Sequence, residues 1–295
     1  MANRIFQTKA KLIKNIEVIK NYYKIVLLCP EIAKEALPGQ FVQVKVNVGY
    51  EPLLRRPFGI HRVRHKDTTP GLKGQAGVPL SAARHKSQEP GEQIEILYQV
   101  LGPGTEALAK RKSGEYLDII GPLGNGFEFR TKYQVPSTEI LVAGGMGVAP
   151  LVFLADRLVK RGTRDEGRGT IALIGARTRE QLLCVDEFNK LGCGVRIATD
   201  DGSRGFRGKV TGLLQKVLHG TRHTIHCTIY ACGPRPMLKE ISRLAKQYNL
   251  PAQVSLEEHL ACGIGACLGC VVNTIDGYKR VCKEGPVFQA QEIIF

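Results

Sequence analysis

The chain has 295 residues, 43% of them hydrophobic, and no low-complexity tract, which excludes disorder and collagen-like repeats and leaves room for two domains with full cores. Its formal net charge is +15, but much of the excess lies in Arg55 to Lys86, where eight Lys or Arg face one acidic residue and no helix-turn-helix, RRM, KH or zinc-finger pattern accompanies them. The reading is a basic surface without nucleic-acid binding. Apolar stretches such as Ile25 to Cys29 are far shorter than the roughly 20 residues of a membrane helix. The start, MANRIFQTKAKLIKNIEVIK, lacks the apolar run of a secretory signal. No membrane span and a cytoplasmic address are therefore expected.

In chain order, FQTKAKLIKNIEVI, YYKIVLLC and FVQVKV alternate or cluster apolar residues at strand length, with turn residues between them. They predict an antiparallel β-barrel or sandwich of about 130 residues. The segment 65–90 is rich in Pro, Gly and Lys and reads as a mobile surface loop. From Ser137 the period changes. EILVA at 139–143, TIALIGA at 170–176, GVRIATD at 194–200 and CTIYACG at 227–233 read as buried strands. Helical patterns follow them over 151–160, 178–191, 210–218 and 236–248. Strands alternating with helices predict a three-layer α/β domain with a parallel sheet. The last 40 or so residues hold four cysteines and too little apolar mass for a core of their own, so a metal or cluster must organise them. The predicted division is a barrel over 1–135, an α/β nucleotide domain over 136–253 and a small cluster subdomain over 254–295, an α+β multidomain architecture.

Of nine cysteines, Cys29, Cys184, Cys193 and Cys227 read as small buried hydrophobes. Cys262, Cys267, Cys270 and Cys282 follow the spacing C-x4-C-x2-C-x11-C, that of plant-type [2Fe-2S] ligands. Gly263, Gly265 and Gly269 would let the loop curl and aim N–H groups at the cluster sulfurs. Zinc on four cysteines is the competing reading, although such sites usually come as two short-spaced pairs.

GGMGVAP at 144–150 falls between a strand and a helix. Gly145 and Gly147 permit a tight turn and close approach of a pyrophosphate, and Pro150 suits the first helical turn. After the next strand, where an acidic residue often holds the ribose, stand Gly175, Ala176 and Arg177, which leaves NAD and NADP both open. Arg55-Arg56-Pro57-Phe58-Gly59, with Leu97-Tyr98-Gln99 and Gly104-Thr105 downstream, offers a guanidinium for a pyrophosphate and an aromatic wall for a flat ring.

Together, RRPFGI, YQVLGPGT, GPLGNGF, GGMGVAPL, ATDDGS, ACGPRPMLK and ACGIGACLGC followed by RVCKEGPVF resemble, in order and spacing, the electron-transfer subunits of class 1B dihydroorotate dehydrogenase, within the ferredoxin reductase superfamily. The resemblance covers nearly the whole chain. It implies FAD on the barrel, NAD(H) on the second domain and one [2Fe-2S] cluster in the tail. By position, Arg56, Pro57, Phe58 and Gly59 would border FAD, Leu97, Tyr98 and Gln99 would line it, and Gly104 with Thr105 would bind its phosphates. Cys232 and Met237 would sit near the nicotinamide, and no catalytic residue in the hydrolytic sense is implied. Gln99 stands where the family often has Arg, and Gly59 where it often has Ser, with Arg55 and Arg62 as nearby replacements for the lost charge. Glu257-Glu258-His259-Leu260 departs from the usual Glu-x-Arg-Met, and His259 reads as a surface residue rather than a ligand. The implied partner is an FMN-containing catalytic subunit, in a two-plus-two heterotetramer serving pyrimidine synthesis. A related NAD(P)H:ferredoxin or sulfide oxidoreductase small subunit is the alternative within enzymes, and a zinc-stabilised polynucleotide-binding protein is the alternative outside them.

Overall fold

The computed structural model describes residues 4–47, 49, 51–65, 92–129, 138–162, 169–220 and 227–295. The basic segment 65–90 lies outside these apart from His65.

The first half is β1 (Phe6–Ile19), β2 (Tyr22–Leu28), α1 (Pro30–Glu35), β3 (Phe41–Lys45), β4 (Arg56–Gly59), β5 (Arg62–Arg64), β6 (Gln93–Gln99), α2 (Pro103–Ala109) and β7 (Tyr116–Leu123). They form a seven-stranded sheet in the order β4-β3-β7-β1-β2-β6-β5, every pair antiparallel. The long β1 pairs with β7 through Phe6 to Lys11 and with β2 through Lys11 to Ile19, shifting register between Leu12 and Lys14. Such a bulge bends a strand, which lets one strand serve two sides of a curling sheet. The edge strands β4 and β5 are joined by Ile60 and His61, whose N–H groups donate to Gln40 O at 3.0 Å and Glu95 O at 2.8 Å. The expected barrel is thereby closed. Alternate residues Leu12, Ile25, Leu27, Val42, Val44, Ile94, Ile96 and Ile119 fill its interior.

The second half is β8 (Thr138–Gly144), α3 (Val148–Gly162), β9 (Thr170–Ala176), α4 (Val185–Lys190), β10 (Gly194–Thr199), β11 (Phe206–Arg207), α5 (Val210–Gly220), β12 (Cys227–Cys232), α6 (Arg235–Tyr248) and β13 (Ala252–Ser255). The tail adds a hairpin of β14 (Val271–Thr274) and β15 (Gly277–Arg280), then β16 (Val287–Gln289). The sheet order is β11-β10-β9-β8-β12-β13-β16, parallel except for β16, which returns antiparallel to β13. Its strands are apolar on both faces, as helices on both sides require. Ile140, Val142, Leu173, Ile229 and Ala231 pack toward α5 and α6, whereas Leu141, Ala143, Ala172, Ile174 and Tyr230 pack toward α3 and α4.

The predicted helix over 178–191 is a correction. The chain makes a 3-10 turn at Arg179–Gln181, runs extended through Leu182, and places Cys184 at φ 59° before α4 begins. The interruption buries Leu183, 5% exposed, and delivers Glu187 to the barrel. Phe153 of α3 packs within the barrel's own apolar cluster, so the two sheets share a continuous seam.

Candidate functional site

One cleft of about 530 Å³ opens at this seam. The barrel supplies Arg56, Pro57, Phe58, Gly59, Leu97, Tyr98, Gln99 and Thr105 to its wall. The parallel domain adds Met146, Ala149, Pro150 and Cys232, and the tail adds Leu260 and Val281. Arg56 is placed by packing: a Cβ on Gly104 would stand 2.6 Å from its Nε, so only glycine there leaves room for the guanidinium. Gly104 thus shapes the wall rather than forming it. Thr105 Oγ1 accepts hydrogen bonds from Leu101 N at 2.9 Å and Gly102 N at 3.2 Å, which fixes the start of α2. Tyr98 stacks on Tyr23 at 5.7 Å and tilts against Phe58 at 5.5 Å, and its hydroxyl donates to Asn15 Oδ1 at 3.1 Å. Burial drives its phenol pKa upward, so it stays a neutral apolar wall. Arg55 and Arg62 do not replace a charge here. The first is bound to Asp118 at 2.9 Å and the second to Glu187 at 3.2 Å.

A second cleft of about 1030 Å³ runs along the carboxyl ends of the parallel strands, where such sheets bind nucleotides. Gly145, Gly147, Arg177, Asp200, Lys209, Gly233, Met237 and Glu257 border it. Gly145 has φ +53° and open space above it, whereas a Cβ on Gly147 would stand 2.0 Å from Cys232 O. The first glycine answers a backbone conformation and the second a strand passing behind the turn. Pro150 belongs to the other cleft, where its Cβ lies 3.8 Å from the Cβ position of Gly59. Gln99, Leu101, Met146 and Glu257 line both spaces, which makes the two clefts neighbours through one doorway. Glu257 is reached by solvent on one side and crowded by protein on the others, and desolvation raises its carboxyl pKa. Burial and the charge of Glu257 push the Cys232 thiol pKa up, so this sulfur is a neutral contact and not a nucleophile.

Three of the tail cysteines lie in the loop 262–270, and Cys282 follows β15 and packs against Cys270. Cys262 Sγ accepts from Ala266 N at 3.3 Å and Cys267 N at 3.4 Å, and Cys270 Sγ accepts from Cys282 N at 3.4 Å. Desolvation opposes ionisation of Cys262, but the N–H groups of Ile264, Cys267 and Ala266 outweigh it and bring the thiol down to about 6. Burial and the neighbouring Cys270 raise Cys282 to about 12. Arg280 braces the site: its Nη1 donates to Gly265 O at 2.8 Å and its Nε to Glu284 Oε2 at 3.0 Å. Among the described residues, the one group of three or more metal-capable side chains whose ligand atoms all lie within 4.8 Å is His61, Cys184 and Glu187. The four tail cysteines form no such group, although thiolates on a single zinc ion stand about 3.8 Å apart. Their wider spread and backbone donors fit a two-iron cluster better than one tetrahedral ion. His259 lines the first cleft as an exposed residue.

An antiparallel barrel followed by a parallel nucleotide-type sheet, with a cleft at their seam, defines the ferredoxin-reductase class of oxidoreductases. The iron-sulfur cluster binding domain of dihydroorotate dehydrogenase B matches residues 257–294, and the oxidoreductase NAD-binding domain matches residues 141–243. The "Dihydroorotate dehydrogenase B (NAD(+)), electron transfer subunit" of Desulforamulus reducens is 35% identical, with 97% of each chain covered. That of Geobacillus kaustophilus is also 35% identical, with 94% of each covered. A structure of the NADH-dependent reduced ferredoxin-NADP oxidoreductase superposes with a TM-score of 0.74 at 28% identity, covering 97% of this chain and 90% of that one. A Neisseria gonorrhoeae ferredoxin NADP+ reductase with bound FAD and NADP shares the fold alone, with a TM-score of 0.60 at 16% identity, covering 84% of this chain and 92% of that one. The chain belongs to the family of electron transfer subunits of dihydroorotate dehydrogenase B.

The tail's share of the first cleft, Ser255 to Leu260 with Val281 and Pro286, has no local sequence signal, because nothing marks a residue as facing another domain. In β3, Val42 and Val44 face the barrel interior, while Phe41 and Gln43 share the opposite face, toward the tail.

Proposed function

We propose that the chain is the NAD-dependent electron-transferring subunit of a dihydroorotate dehydrogenase, carrying FAD in the first cleft, NAD(H) in the second and a [2Fe-2S] cluster on Cys262, Cys267, Cys270 and Cys282. The single observation that carries this reading is the composition of the first cleft. Its walls come from the barrel, the nucleotide domain and the cluster tail together, so a flavin there touches both of its redox neighbours. The domain division at 1–135, 136–253 and 254–295 is part of the proposal, as is a cytoplasmic address. No helix among the described residues is long and apolar enough to cross a membrane.

When bound, a flavin supplies the conversion between a two-electron hydride and single electrons, and a [2Fe-2S] cluster takes one electron at a time. The chain's residues do the rest. Arg56 would bind the flavin pyrophosphate beside the start of α2, which Thr105 holds in place. Phe58 and Tyr98, with Leu97, Gln99, Pro57 and Gly59, would orient the ring system, and Pro150 closes the wall from the facing domain. Gly145 and Gly147 would open the turn to the dinucleotide. Met146 and Cys232 exclude water between the two spaces, and Glu257 holds a proton at its carboxyl more readily than a free glutamate does.

The electron acceptor in this proposal is an FMN-containing catalytic subunit in a two-plus-two heterotetramer, which bears the dihydroorotate site. Support comes from the cluster loop's surface: Ile264, Leu268 and Val271 are 52%, 59% and 41% exposed around the cysteines, an apolar collar at the point of electron exit. The test has two stages. Anaerobically purified protein should show flavin and iron–sulfur absorbance that bleach together on adding NADH, whereas a colourless zinc protein refutes the cofactor assignment. With the catalytic subunit added, dihydroorotate should then reduce NAD, and absence of orotate refutes the pyrimidine role. The second reading, a small subunit exchanging electrons with a ferredoxin, is favoured by the 28% identity over 97% of the chain, and ferredoxin reduction without orotate formation would select it.

A further inference from the structure

Gln43 lies in β3 of the barrel, opposite Pro57 of β4 and Ile120 of β7, and is 0% exposed. Neither its Nε2 nor its Oε1 has a hydrogen-bond partner. Two other buried glutamines behave differently. Gln40 accepts from Leu37 N and donates to Gly124 O, both at 2.8 Å, and Gln253 accepts from Glu128 N at 2.8 Å and donates to Glu128 O at 2.7 Å. A buried amide with both ends idle is rare, because its lost hydration goes uncompensated, and such a group marks a missing ligand or a redox role.

The neighbour of this amide is the cysteine loop. A Cβ on Gly263 would stand 2.5 Å from Gln43 Nε2 and 2.6 Å from its Cγ, so the side chain lies directly against the residue that follows Cys262. Gly263 has φ +71° and no side chain to shield the loop from below. The N–H groups of Ala266 and Cys267 face Cys262 Sγ from within the loop, and the Gln43 amide lies against the same loop from the barrel side.

Resting on the cluster assignment above, we propose that Gln43 Nε2 donates a hydrogen bond to a sulfur of the [2Fe-2S] cluster and so raises its reduction potential. Sulfur accepts and cannot donate, so the amide's NH2 end faces it. One-electron reduction adds a negative charge to the cluster, and a donor fixed at its sulfur stabilises the reduced form more than the oxidised one. Gln43 is therefore a tuning residue that the flavin-binding domain contributes to the cluster, 219 positions before the first ligand in sequence by subtraction of 43 from 262.

The test uses the full chain with flavin and cluster in place. Q43L and Q43M remove the donor at similar volume. Both should lower the cluster midpoint, read by an EPR-monitored redox titration, by the equivalent of about tenfold in the reduction equilibrium, or about 59 mV for one electron. An unchanged midpoint in both variants overturns the proposal. Should neither variant retain its cluster, wild-type protein labelled with 15N at the glutamine side chains supplies the decision. A 15N coupling to the reduced cluster in pulsed EPR supports the bond, and its absence overturns it. A wild-type chain with no cluster signal at all overturns the cluster assignment itself, which separates that failure from this one.

Discussion

His61 and Glu187, 126 positions apart in sequence, meet at 3.1 Å from Nε2 to Oε2 across the seam between barrel and nucleotide domain. The imidazole is fully buried, and its other nitrogen lies 2.9 Å from Ala149 O. The imidazole thus bridges the Ala149 backbone of α3 and the Glu187 carboxylate of α4. Lys24 Nζ at 2.5 Å and Arg62 Nη2 at 3.2 Å converge on the same carboxylate. Lys24 and Arg62 already meet the carboxylate, so the group of His61, Cys184 and Glu187 reads as a joint between the domains.

Glu187→Gln should loosen that joint. Burial alone would raise the carboxyl's pKa, but His61 and Lys24 outweigh it and hold the group well below the usual carboxylate range. A carboxyl depressed in the folded state contributes stability above its unfolded pKa of about 4.3 and loses it as pH falls toward the folded value. Near neutral pH the substitution should cost about 1–3 kcal/mol, because two cations lose their counter-charge. Thermal unfolding across pH should show the gap between wild type and variant narrowing below about pH 4.

The two glycines of the β8–α3 turn should respond unequally to alanine. At Gly147 the new Cβ meets the Cys232 carbonyl at 2.0 Å, so β12 must shift, and a loss of more than about 4 kcal/mol or failure to fold is expected. At Gly145 the space is open and only the positive φ resists, for about 1–2 kcal/mol. Denaturant titration of both variants measures the difference, and equal losses would contradict it.

Arg56→Ala should release flavin. Losing a charge-assisted contact of about 1.5–3 kcal/mol weakens FAD binding roughly tenfold to a hundredfold. Gly104→Ala should act in the same direction and more weakly, since the guanidinium it crowds is the far end of a flexible side chain. Fluorescence of FAD set free on dilution reads both.

Cys262→Ala and Cys282→Ala should each abolish the iron–sulfur absorbance while flavin stays bound. Cys262 receives two backbone N–H groups and Cys282 sits buried beside Cys270, so neither has a substitute ligand nearby among the described residues. Iron analysis with a flavin spectrum on the same sample tests this. Retention of the cluster in either variant would mean that the ligand set is wrong.

What the sequence made legible was local. The strands at Phe6–Ile19 and Thr170–Ala176 coincide with their predicted spans because alternation or an unbroken apolar run carries the strand signal by itself. The proposed cysteine site carries a sequence signal because three of its four residues fall in one nine-residue loop, 262–270. Motif alone points to Arg56 and Thr105, but Gly104 as the space that Arg56 fills involves a neighbour 48 positions away, from 56 to 104. The break before α4 has no sequence signal because Leu182 and Leu183 suit a helix by propensity, and tertiary burial of Leu183 overrides that preference. His61 with Glu187, and Gln43 with Gly263, are long-range meetings that no window of sequence contains.

The tail begins and ends on the same rung of the sheet: Ser255 is the register partner of Val287, with Leu256 N also donating to Pro286 O at 2.8 Å. Everything that carries the cysteines is therefore a loop stapled at both feet, unlike the tethered arm that some carriers swing between donor and acceptor. Because the loop is held at both feet, a cluster on it would sit at one place on the sheet, and electron transfer to that cluster from within the chain should be indifferent to solvent viscosity.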